Sequence, residues 1–169
     1  MRDRVIVQNN PINWIDPHGY QSQINIFYIN DPNYYAASKI QAGNFNDVYG
    51  HGGITGMWTG PLPKQGPGGH YLTPNQMVDL IKYDPKYDPK LPSRLLGCNV
   101  GKGTYCKDVA TGLGTRVYCY DNTAWYGTKP SWLFGDQGYV GSWEKSFPNG
   151  PDSPVPNYSR PGKLKPSTP

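Results

Sequence analysis

Nowhere in this chain of 169 residues does an apolar run approach the roughly 20 residues a helix needs to span a bilayer. The N-terminus also lacks the apolar core of a signal peptide, so neither a span nor a signal peptide is expected. Cysteine is scarce: Cys98, Cys106 and Cys119 make an odd count of three, with no Cys-x-x-Cys spacing. That predicts neither a disulfide framework nor a structural zinc site. The expectation is one working thiol and two packing cysteines, in a reducing compartment. Acids are also few. Twelve Asp and Glu are spread thinly, without the clusters a metal-dependent nuclease would need, and the Glu-x-Glu or Gln-x-Glu strand of common ADP-ribosyltransferases is absent. No Lys/Arg block is dense enough for a nucleic-acid stripe, although the net charge is +4. No metal, cofactor, membrane or nucleic-acid partner is expected.

What is abundant is glycine (21), proline (18) and tyrosine (14). Turns and loops follow from the first two, and a partly aromatic core from the third. The length fits one domain. Residues 1–20 form an extended leader, 21–147 the folded domain, and 148–169 a Pro-rich tail expected to be disordered.

Alternation predicts a first strand over 23–30, with Ile24, Ile26 and Tyr28 on one face. Asp31 or Asn33 is placed to cap a helix over 34–42 that Gly43 stops. Val48-Tyr49 is a second strand, running straight into His51. Residues 54–71 read as one long loop of the kind that forms lids or binding sites. Thr73, Pro74 and Gln76 have the spacing of a capping box, opening a helix whose Met77, Leu80 and Ile81 face a core. A third strand over 94–98 ends in Cys98. A helix over 104–113 buries Tyr105, Val109 and Leu113 and ends at Gly114. Residues 116–120 form a fourth strand, and 140–147 one more, at an edge. Strands alternating with helices of this length predict an α/β fold, with a mostly parallel sheet flanked by helices and joined by Pro/Gly-rich loops.

Two strands end abruptly in a reactive residue beside glycine: Val48-Tyr49-Gly50-His51-Gly52-Gly53 and Leu95-Leu96-Gly97-Cys98-Asn99. Ligands and chemistry collect at the carboxyl edge of parallel sheets. Cys98 is the candidate nucleophile and His51 its base, with the Gly52 and Cys98 N–H groups as oxyanion donors. Asp121 and Asn122, after the fourth strand, are candidates to orient His51 or line a pocket, and Trp58 and Trp125 to wall the cleft. His18 and His70 read as surface residues.

Two resemblances extend this reading. Asn9, Asn10, Pro11, Asp16, Pro17 and Gly19 resemble the segment that closes the shell of Rhs/YD-repeat proteins, beyond which a variable toxin begins. Tyr20 stands where that family usually carries leucine, which leaves self-cleavage near it open. An apolar strand with His51-Gly52 and, forty-seven residues on, one with Cys98 is similar to clan CD (caspase-like) cysteine peptidases. The Gln/Glu-Ala that precedes the caspase cysteine is replaced by Leu96-Gly97. More narrowly, residues 48–125 resemble a recurrent Rhs C-terminal domain through His51-Gly52, Leu72-Thr73-Pro74, Leu95 to Gly101, Leu113-Gly114 and Trp125.

These resemblances imply a caspase-like three-layer sandwich and an effector toxin acting as a Cys/His hydrolase, most concretely a protease. They further imply delivery by a specialised (type VI) secretion system into the target-cell cytoplasm. A target-cell protein would be the substrate, with a cognate immunity protein and the parent Rhs shell as partners. Another toxin chemistry (nuclease or ADP-ribosyltransferase) and a non-catalytic binding domain are the alternatives.

Overall fold

The computed structural model describes residues 22–41, 43–130, 135–146, 157–161 and 164–169. The leader over 1–20, with its Rhs-like segment, lies outside them, as do His18 and residues 147–156. In chain order the elements are β1 (Gln23–Asn25), α1 (Pro32–Ser38), β2 (Asn46–Tyr49), β3 (His51–Gly53), β4 (Gly56–Thr59), β5 (His70–Tyr71), α2 (Pro74–Tyr83), β6 (Ser93–Leu96), α3 (Tyr105–Leu113), β7 (Val117–Tyr120), β8 (Thr123–Lys129), β9 (Gln137–Ser146), β10 (Asn157–Pro161) and β11 (Leu164–Ser167). The chain is mixed α/β. Its main sheet has the order β1-β2-β6-β7-β11, with the first four strands parallel and β11 antiparallel to β7.

Period-two alternation sorts the sheet's side chains into two cores. Ile24, Val48, Leu95, Val117 and Cys119 share one face, where Met77, Val78 and Ile81 of α2 and Val109, Ala110 and Leu113 of α3 bury them. Tyr49, Leu96 and Tyr120 share the other, against Phe27 and Ala37, with Tyr126 and Val140 of the β8–β9 ribbon packed over them. The second face is therefore covered by one short helix and a three-stranded antiparallel sheet, β10-β9-β8, rather than by helices.

Local signals place the helices. Thr73 and Gln76 form both halves of the capping box, Pro74 opens α2, and Gly114 ends α3 in the left-handed region at φ 71°. Helix α1 starts two residues earlier than expected because Asp31 caps it with Pro32 in the first turn. It stops at Ser38, well before Gly43. Just beyond, the Lys39 carbonyl accepts the Gly138 N–H of β9 (2.9 Å) instead of continuing the helical ladder.

Four expectations are corrected. Residues 54–71 are not one loop: β3 and β4 form a tight hairpin and β5 pairs with β4, leaving only 60–69 as loop. The strand expected over 140–147 at an edge is the centre of its own sheet, because β8 and β10 flank it. Within the stretch expected to be disordered, 157–161 pairs with β9 and 164–167 with β7. Cys106 and Cys119 are joined in a disulfide that does not include Cys98. Helix α3 lies on β7, which brings two cysteines thirteen positions apart to a Cα separation of 6.3 Å, within bridging range. An odd count does not exclude a single bridge, and a reducing compartment no longer follows from it.

One polar device is buried in the sheet. Asp47 of β2 pairs in register with Arg94 of β6, and the guanidinium Nε and Nη2 each donate at 2.6 Å to its carboxylate. The Tyr49 hydroxyl donates to the same carboxylate (3.1 Å), and the guanidinium lies 4.3 Å over the Phe45 ring. Burial pushes the Asp47 carboxyl above the ordinary aspartate range, and Arg94 and Tyr49 offset only part of that. Burial would lower the Arg94 pKa, but its bonds to Asp47 outweigh this and hold it raised.

Arg94→Met leaves Asp47 buried without a counter-charge, so a loss of about 3–5 kcal/mol at pH 7 is expected in urea unfolding. In that variant the folded-state pKa of Asp47 lies further above its unfolded value, so the deficit should shrink as pH falls and the carboxyl protonates. A deficit that grows on acidification would contradict the assignment. Peptide mapping without reduction should recover Cys106 linked to Cys119, and reduction should cost about 3 kcal/mol of stability.

Candidate functional site

The ladder between β2 and β6 ends at Tyr49 opposite Leu96. Carrying that register two residues further puts His51 level with Cys98, on the face that bears Tyr49 and Leu96. The backbones stay close there: a Cβ on Gly52 would lie 2.9 Å from the Cys98 nitrogen and 2.8 Å from its carbonyl oxygen. Only glycine fits that approach. Because Gly53 and Gly56 flank a two-residue hairpin turn, the alternation of bonded pairs directs the Gly52 N–H away from β4, towards the Cys98 strand.

His51 is held by a residue from another element. Its Nε2 lies 2.6 Å from Oδ2 of Asp31, whose side chain is only 2 % exposed against 29 % for His51. The other carboxylate oxygen, Oδ1, accepts the Asn33 N–H (2.8 Å) as the N-cap of α1. An ionised carboxylate accepts only, so the imidazole proton sits on Nε2, and Nδ1 is left as the basic nitrogen. The Phe27 ring meets His51 edge to face at 4.8 Å and walls its other side.

Cys98 follows β6 in a turn, and Asn99 after it takes a left-handed conformation (φ 58°) fixed by its N–H bonding the Asn122 carbonyl at 2.9 Å. The Ala124 N–H points at Cys98 Sγ (3.2 Å), a donor suited to negative charge on sulfur. The Tyr126 hydroxyl donates to the Leu96 carbonyl and is also bonded to the Gly50 backbone, bridging the two strand ends that carry His51 and Cys98. Burial pushes the Tyr126 phenol well above its ordinary pKa, so it remains a neutral donor.

Of the residues singled out from sequence, His51, Gly52 and Cys98 come to one edge. Asn122 supports that edge through its backbone. Asp121 does not orient His51: it is ion-paired to Lys165 of β11, and Asp31 holds the histidine instead. Trp58 lies directly opposite His51 on β4. Trp125 is about half exposed on β8, opposite Gly141, and His70 is exposed on β5. The sequence signal for Asp31 was its helix-capping position; nothing local announced that its second oxygen would meet an imidazole twenty residues on. Among the described residues no three His, Cys, Asp or Glu side chains gather in a way that could hold a metal ion, and no helix is long and apolar enough to cross a membrane.

Residues 22–142 match the family described as Domain of unknown function (DUF8616). That is well over half of the chain, and the chain belongs to this family. No curated protein and no solved structure matches it.

Replacing Gly52 by Ala would drive a Cβ to 2.5 Å from Val100 Cγ2 and into the Cys98 backbone. Overpacking of this kind costs about 1–3 kcal/mol. Thermal unfolding should show that loss together with slower alkylation of Cys98, and an unperturbed variant would mean the two strand ends are not in this contact.

Proposed function

We propose that this domain is a Cys98/His51-dependent thiol hydrolase, most concretely a protease, and the toxic C-terminal part of an Rhs effector. The observation that carries the reading is the buried Asp31 carboxylate bonded to His51 Nε2, at a strand end level with the cysteine that lies outside the disulfide. A histidine fixed in this tautomer is poised as a base rather than as a packing group. The finer fold, a caspase-like sandwich, is supported by four parallel strands with His51 and Cys98 beyond the ends of two adjacent ones.

In this mechanism Nδ1 of His51 takes the Cys98 thiol proton, and the thiolate attacks the scissile carbonyl carbon. The carbonyl oxygen becomes an oxyanion held by the Gly52 and Cys98 N–H groups. The intermediate collapses to a thioester as the imidazolium protonates the leaving amine. Water, deprotonated by the same nitrogen, then hydrolyses the thioester and restores the thiol. The Ala124 N–H stabilises the thiolate once the thiol proton has left. The Rhs-like segment of Asn9 to Gly19 supports delivery into a target cell, with a cognate immunity protein as the neutralising partner.

Mass spectrometry of new protein N-termini in bacteria producing wild type, Cys98→Ala or His51→Ala should show cleavages that vanish in both variants. Killing by wild type alone without new termini would place the chemistry on a bond other than a peptide, and equal killing by all three would remove the pair from function. Asp31→Asn keeps the helix cap, since Asn caps as well as Asp, but loses the carboxylate. Its turnover should fall by about two to four orders of magnitude with little change in KM or stability.

A further inference from the structure

His51 stands opposite Trp58, and Trp58 opposite Tyr71, across β3, β4 and β5. Residues paired in this way project from the same face of a sheet. Met57, beside Trp58, is fully buried in the core shared with α2 and α3, so Trp58 lies on the opposite face, the one that carries His51. Tyr71 packs edge to face on the indole with ring centroids 5.0 Å apart. The indole N–H is already spent on the Pro61 carbonyl (3.1 Å). What Trp58 offers a ligand is an apolar aromatic surface without a hydrogen bond.

The 60–69 loop folds around that surface and leaves a shallow, open cavity of about 440 Å³, lined by Trp58, Pro63, Gly66, Pro67, Gly68 and Gly69. Glycine is what lets the loop lie against the ring, since a Cβ at Gly69 would sit 2.6 Å from Trp58 Cζ2. None of the lining residues carries a charge. The groove thus continues the row of the site, one strand beyond His51 and on the side away from Cys98.

We infer that this groove is a substrate subsite that takes an aromatic or large aliphatic side chain of a polypeptide, near the bond presented to Cys98; the inference rests on the hydrolase reading above. Indole and proline rings repay burial of an apolar side chain, while a carboxylate or ammonium placed there would lose water without gaining a partner. A nucleic-acid base would also stack on an indole, but the groove's lining holds no Lys or Arg for the phosphates.

The test follows the indole ¹⁵N–¹H resonance of Trp58, assigned through Trp58→Phe, in the full chain carrying Cys98→Ala. Titration with acetyl-Ala-Phe-Ala-amide should give a saturable shift at concentrations about ten- to hundredfold below any produced by acetyl-Ala-Asp-Ala-amide, the preference one buried apolar side chain supplies. No shift, equal response to both peptides, or a shift only with a thymidine dinucleotide would overturn the subsite. In parallel, iodoacetamide alkylation of Cys98 is timed in wild type and His51→Ala, both otherwise unaltered. Peptide binding with alkylation indifferent to His51 would keep the apolar groove and sink the hydrolase. His51-dependent alkylation without peptide binding would do the reverse.

Discussion

The register of β2 against β6 is the constraint on which the rest of this structure depends. One residue of slip in β6 would turn Leu95 out of the α2/α3 core that Val48 shares and bring Leu96 into it. The Asp47–Arg94 pair pins the register from inside the sheet, since only one alignment lets the guanidinium meet the carboxylate through two bonds. A buried ion pair is weak evidence for stability, but it is well suited to specifying a unique alignment. The same register, carried past the end of the ladder, sets His51 level with Cys98. Fold specification and site assembly are therefore one geometric fact.

Above the ladder the strands have to part without separating. Gly52 and Gly97 let the two backbones stay in contact, and Tyr126 ties Leu96 to Gly50 from the β8 side. β4 enters on the other side of β3, and Gly60, just past its end, bridges to Phe27. The edge that carries His51 and Cys98 is thus enclosed by the ribbon β8–β9 on one side and by the hairpin β3–β4 on the other. Rigid support of this kind is what the proposed base and nucleophile would require, because reactivity falls steeply with misplacement.

Asp31 shows how a local feature acquires a tertiary role. The Asp-Pro-Asn sequence is a sufficient reason for a helix to begin, and one carboxylate oxygen satisfies it. The second oxygen is buried against His51 because α1 packs over the aromatic face of the sheet through Ala36 and Ala37. Desolvation there keeps the carboxylate committed to its two donors. A single side chain thereby couples the start of α1 to the orientation of the imidazole.

The sequence by itself determined what depends on near neighbours. The capping box at Thr73, the Gly114 stop, the core stripe of Met77 and Ile81, the strands that stop just short of His51 and Cys98, and the α/β class are all set by spacing along a few residues. Only the tertiary structure decided the Asp31–His51 bond, the loss of Asp121 to Lys165, the Cys106–Cys119 link, the hairpin inside 54–71 and the strand at 164–167. Each of these joins residues from separate elements, and which elements become neighbours is settled by burial of whole faces, a quantity no short window of sequence contains.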